Sequence, residues 1–171
     1  MSNLLKALRF TLKWEGGFSD DKVDPGGLTK YGISDKGDGT LDRLIDLERD
    51  GKGDIPVKEL TREQAYKIYE TFYWIPAGCE ALPLAESVAV FDTAVNCGVA
   101  RAKRWLREAK DLKEFLEKRR MHYYQLADDN PKFHKYINGW TNRLNDLRKY
   151  LDILAAEEHL PKGTYIPQLK G

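Results

Sequence analysis

Helix-length apolar patterns follow one another along most of this chain, and one long stretch interrupts them. Leu4, Leu5, Leu8, Thr11, Leu12 and Glu15 recur at helical spacing and run into Gly16-Gly17, a natural stop. Thr61 and Gln64 have the spacing of a capping box. They start a helix that carries Ala65, Ile68, Tyr69 and Phe72 and ends before Pro76. Pro83 stands ahead of an apolar helix over 84–96, closed by Gly98. Further helices are expected over 99–106, 112–126 and 133–159, the last bent at Gly139 and stopped by Pro161. The interruption, 16–54, is rich in Gly and Asp. Within it 31–34 reads as a short strand beside a turn and 41–47 as a short helical turn. The chain is therefore expected to be mainly α, with a small Gly-rich loop and β lobe.

A length of 171 residues suits one domain, read here as a lobe over 1–98 and a helical lobe over 99–171. Hydrophobic residues at 42% and charged residues at 32% support a packed core under a polar surface. A net charge of +1 excludes a strongly basic nucleic-acid binder. No stretch reaches the ~18 apolar residues that a membrane span requires. Charges interrupt the first residues too often for an ordinary signal peptide, so synthesis in a cytoplasm is expected. Cys79 and Cys97 lack CxxC spacing and read as two reduced thiols.

The interrupting stretch carries the chemistry. Glu15 sits between Trp14 and two glycines, at the C-terminal end of the first helix, where the macrodipole disfavours a negative charge. Packing by Trp14 and Phe18 pushes the same way. Glycosidic cleavage needs one carboxylic acid to protonate the leaving oxygen and a second polar partner across the sugar. Glycines let the backbone approach a bulky polymer. Glu15, Asp24 and Thr29 supply these parts in order.

The order Glu15, Asp24, Thr29 and Gly32-Ile33 closely resembles the catalytic stretch of phage-type lysozymes. The fuller string Glu15-Gly16-Gly17-Phe18, Asp24-Pro25-Gly26-Gly27, Thr29 and Tyr31-Gly32-Ile33-Ser34 resembles the glycoside hydrolase family 108 muramidases. Leu60-Thr61, Glu63-Gln64-Ala65, Ile68-Tyr69, Tyr73-Trp74, Phe91 to Asn96 with Gly98, and Trp140 with Asn142-Arg143 extend the resemblance. It implies a lysozyme-like helical bundle whose β lobe borders a catalytic cleft. It implies hydrolysis of the β-1,4 bond between N-acetylmuramic acid and N-acetylglucosamine by a monomer acting on peptidoglycan, either a phage endolysin made in the host cytoplasm and released through a membrane lesion or an enzyme sent out by a specialised bacterial export route. Glu15 matches the catalytic acid, and Asp24 and Thr29 match the acid and hydroxyl. The helix from Phe91 to Gly98 matches one whose Asn faces the sugar, which makes Asn96, and Asp92 one turn before it, substrate-contact candidates. No wall-binding motif follows that helix, so 99–171 resembles a trimmed peptidoglycan-binding segment. A lytic transglycosylase, or a non-catalytic wall-binding or virion module, is the alternative on the same scaffold.

Tyr31, Tyr73 and Trp74 are further candidates for contact with sugar faces. No metal or organic cofactor is expected. Residues 48–59 partly follow a calcium-loop pattern, but Lys52 occupies a ligand position and a solvated acidic loop is expected instead. His122, His134 and His159 share no ligand spacing. Arg101, Lys103, Arg104, Arg107 and Lys118-Arg119-Arg120 read as a solvated positive face.

Overall fold

A computed structural model describes residues 2–15, 29–34 and 43–157. Among these the chain is mainly α, as expected. The helices are α1 (Asn3–Trp14), α2 (Arg62–Tyr69), α3 (Ile75–Ala77), α4 (Leu84–Cys97), α5 (Val99–Glu108), α6 (Leu112–Asp129) and α7 (Ile137–Glu157). Two antiparallel ribbons, β1 (Thr29–Lys30) with β2 (Ile33–Ser34) and β3 (Leu44–Ile45) with β4 (Ile55–Pro56), form the β part. No helix among the described residues is long and apolar enough to cross a membrane.

The chain divides into two compact units, 11–72 and a second built from 1–10 with 73–171. The boundaries thus fall after Phe10 and after Phe72, not at the 98/99 junction expected from the sequence. Helices α4 and α5, on either side of that junction, pack together within one unit.

In the 11–72 unit, Tyr31, Ile45, Val57, Leu60, Ala65 and Ile68 form the core, with Leu12, Ile33, Leu47, Ile55 and Phe72 packed against it. The β1–β2 ribbon turns through Tyr31 and Gly32, whose φ values are +55° and +74°. A two-residue loop with both central φ positive matches the right-handed twist of its strands. The capping box forms as read. The Gln64 amide donates to Thr61 Oγ1 at 3.2 Å, and the Thr61 amide donates to Gln64 Oε1 at 2.8 Å. Beyond Tyr69 the helix does not stop before Pro76. It widens into a π-helical turn (Glu70–Trp74) and continues through α3 to Gly78, which caps it at φ +74°. Pro76 stands in the first turn of α3, directly after the π-helical turn.

The helical turn expected at 41–47 is a strand over Leu44–Ile45. Arg43 and Arg49 take φ of +68° and +57°, which no helix accommodates. Asp46 then organises the bend. Its carboxylate accepts from the amides of Glu48 at 3.1 Å, Asp50 at 3.2 Å and Gly51 at 2.7 Å. Gly53 passes so close beneath Leu44 that a Cβ there would collide with the leucine side chain. Residues 48–59 therefore belong to a β ribbon and a 3₁₀ turn (Val57–Glu59).

In the other unit α4 is the central element, with every residue from Leu84 to Ala94 buried. Helices α5, α6 and α7 all pack on it. The sequence allows this because the helix is almost entirely small or apolar. Its polar members need partners, since a buried unpaired group costs about 1–3 kcal/mol. Ser87 returns its hydroxyl to Leu84 O at 2.8 Å. Asp92 draws its partners from α6 and α7.

Candidate active site

Glu15 is held by the end of α1. Its amide donates to Thr11 O at 3.0 Å, a helical hydrogen bond, so its half-buried side chain emerges at the C-terminal turn. The turn of the β1–β2 ribbon lies directly against it. A Cβ on Gly32 would sit 2.6 Å from Glu15 Cβ and 2.7 Å from Tyr69 Oη. Only glycine meets both conditions at this place, the left-handed φ and the contact. Tyr69, from α2, donates its hydroxyl to Tyr31 O at 2.9 Å and so ties the turn down. Three separate elements therefore fix where Glu15 stands: a helix end, a ribbon turn and a tyrosine from the next helix.

Thr29 opens β1, its Cα opposite that of Ser34, so the backbone of one ribbon carries both Thr29 and the Gly32 buttress. Asp24 lies outside the described residues. The Tyr31 ring is packed into the core at 9% exposure and offers no open face for a sugar; what Tyr31 brings to Glu15 is the turn. Gly32 and Tyr69 were not singled out as site residues from the sequence, although both lie in the quoted motifs.

The other candidates lie in the α4 unit. Tyr73 is half-buried. Trp74, expected to stack on sugar, is a core residue at 2% exposure. Its indole N–H donates to Glu80 Oε2 at 2.9 Å and its ring meets Phe91 edge-on at 5.7 Å. Asp92, expected to reach substrate, is wholly buried. Its Oδ2 accepts from Arg119 Nη1 at 2.7 Å and its Oδ1 from Arg143 Nη2 at 2.7 Å. Burial opposes the charged carboxylate, but Arg119 and Arg143 outweigh it and hold the Asp92 pKa below the usual value. Asp92 is thus the anchor of an internal ion cluster. Arg119, read from the sequence as part of a solvated face, is the buried partner it requires.

Asn96, one turn on from Asp92, is half-exposed. Its Oδ1 accepts from the Tyr123 hydroxyl at 2.6 Å and from Cys97 Sγ at 3.2 Å. Both thiols are free. Burial pushes Cys79 up to about 12, with Glu80 adding to the shift. Among the described residues no group of three or more His, Cys, Asp or Glu side chains is placed to hold a metal ion.

The family model described as Glycosyl hydrolase 108 matches residues 8–98, a stretch that holds Glu15, the β1–β2 turn and all of α4. No curated protein and no solved structure matches the chain.

Proposed function

The chain belongs to the glycosyl hydrolase 108 family, and on that premise we propose that this peptidoglycan hydrolase is an N-acetylmuramidase of the lysozyme type. It hydrolyses the β-1,4 bond between N-acetylmuramic acid and N-acetylglucosamine. The observation that carries the reading is the placement of Glu15, an acid locked at a helix C-terminus against a glycine turn. A carboxyl group fixed in this position is suited to deliver a proton to the glycosidic oxygen. Asp24 stabilises the positive charge that develops on the sugar or, with Thr29, positions the attacking water. Asn96 and Tyr73 contact the polymer. In this reading the protein is a phage endolysin, made in the host cytoplasm and reaching the wall once the membrane is breached.

The test is clearing of outer-membrane-stripped bacterial walls, with mass spectrometry of the fragments. Glu15→Gln keeps the shape and removes the transferable proton, so lysis should fall by about 10²–10⁴-fold. Products of the wild type should carry reducing ends. Equal lysis by the variant overturns the assignment of the acid, and anhydro ends identify a transglycosylase instead.

A further inference from the structure

We infer that Arg119 and Tyr123 are positioning residues that fix which end of the Asn96 amide is presented to the sugar polymer. The inference rests on the reading of Asn96 as a substrate contact. Arg119 is fully buried on α6. Its Nη1 donates to Asp92 Oδ2 at 2.7 Å and to Thr93 Oγ1 at 3.1 Å, and its Nε donates to the Tyr123 oxygen at 2.6 Å. A guanidinium only donates. The Tyr123 oxygen is therefore an acceptor toward Arg119, and its single proton is left for another partner. That partner is Asn96 Oδ1 at 2.6 Å.

The chain of bonds thus has one direction, from Arg119 through Tyr123 to Asn96. Turning the amide over would set its NH2 against the hydroxyl proton and leave that proton only the weak acceptor Cys97 Sγ, which also bonds Tyr123. Cys97 Sγ, 3.2 Å from the same Oδ1, favours the same orientation. The carbonyl end of Asn96 is pinned inward, and among the described residues no acceptor takes its NH2 end. Two N–H donors on a half-exposed side chain then face a ligand whose matching groups are acceptor oxygens. The acetamido carbonyls and hydroxyls of an N-acetylated glycan are of that class.

The root of the chain is rigid. Asp92 is clamped by Arg119 and Arg143, and the Tyr123 ring stacks on Trp140 with centroids 5.2 Å apart and planes at 22°. Burial, first among the influences on it, raises the Tyr123 hydroxyl pKa, which favours the protonated, donating form.

The experiment measures KM and kcat on soluble, uncross-linked glycan strands from peptidoglycan. Tyr123→Phe removes the hydroxyl and frees the amide to rotate. KM should rise about 3- to 10-fold with kcat nearly unchanged. Asn96→Ala should raise KM at least as much, and Tyr123→Phe should then add nothing in the Asn96→Ala background. A role confined to stability would instead reduce the active fraction, lowering apparent kcat and leaving KM unmoved. Asn96→Asp keeps an oxygen for Tyr123 but replaces the NH2, so it should weaken binding even where Tyr123→Phe folds poorly. Unchanged KM in Asn96→Asp, or independent losses in the double variant, overturns the inference while lysis by the wild type still stands. Absence of any cleavage by the wild type overturns the muramidase reading itself.

Discussion

Asp92→Asn is the most exacting perturbation of this molecule, because one buried carboxylate serves two buried guanidiniums. Asp92 and Arg119 are 0% exposed and Arg143 is 5% exposed. The bonds at stake are Arg119 Nη1 to Oδ2 at 2.7 Å, Arg143 Nη2 to Oδ1 at 2.7 Å and Arg143 Nε to Oδ2 at 3.3 Å. At about 1.5–3 kcal/mol each, charged hydrogen bonds would sum to more than the change can cost, since the asparagine oxygen still serves one arginine. Removal of one partner from a buried pair costs about 3–5 kcal/mol, and that is the expected loss. With a urea slope of about 2 kcal/mol/M, the midpoint should fall by about 2 M. The pH dependence has a definite sign. The Asp92 pKa is lowered in the fold, with burial opposing and the two arginines prevailing. Its contribution is therefore full above the unfolded value near ~3.9 and is lost as pH falls through the lower folded value. The gap between wild type and variant should be constant from neutral pH down to about 5 and should close below about 4. Replacing all three groups by apolar residues (Asp92→Leu, Arg119→Met, Arg143→Leu) should cost far less than Asp92→Asn alone. A midpoint shift under about 0.3 M for Asp92→Asn, or a gap that widens in acid, refutes the argument.

Gly32→Ala should destabilise the 11–72 unit by about 2–4 kcal/mol and cut wall lysis, because it combines a strained φ of +74° with a Cβ 2.6 Å from Glu15 Cβ. Gly78→Ala has the same φ and nothing within 4 Å, so it should cost only about 1 kcal/mol in a thermal melt and leave lysis intact. Thr61→Ala removes the acceptor for the Gln64 amide and should lower the urea-derived stability by about 1 kcal/mol.

Features set by neighbours in the chain were legible in the sequence. The end of α1 at Trp14, the capping box at Thr61 and the bounds of α4 between Pro83 and Gly98 follow from periodicity and capping, which act over a single turn. The strand at Leu44 was not legible, because it depends on two arginines adopting left-handed φ, and arginine carries no such signal. Asp92 and Asn96 were rightly placed four apart on one helix, yet spacing cannot reveal that one turn carries a side chain from total burial to partial exposure. Trp74 reads equally well as a sugar platform or a core ring. The decision rests on Glu80 taking its N–H and Phe91 closing its face.

Arg119 shows where local reading fails for a physical reason. A Lys-Arg-Arg run is solvated unless a countercharge awaits it inside, and that countercharge stands 27 residues earlier, on a different helix. The second arginine, Arg143, reaches the same carboxylate from 51 residues later. Both lie beyond Gly98, where the family match ends, whereas Asp92 lies within it. The helices that cover Asp92 are also the ones that neutralise it, since α6 and α7 pack on α4 and supply both guanidiniums. The helices after Gly98 are therefore not an accessory to α4. They complete its electrostatics through Asp92, and through Tyr123 they set the one polar side chain that α4 turns toward solvent beside that cluster, Asn96.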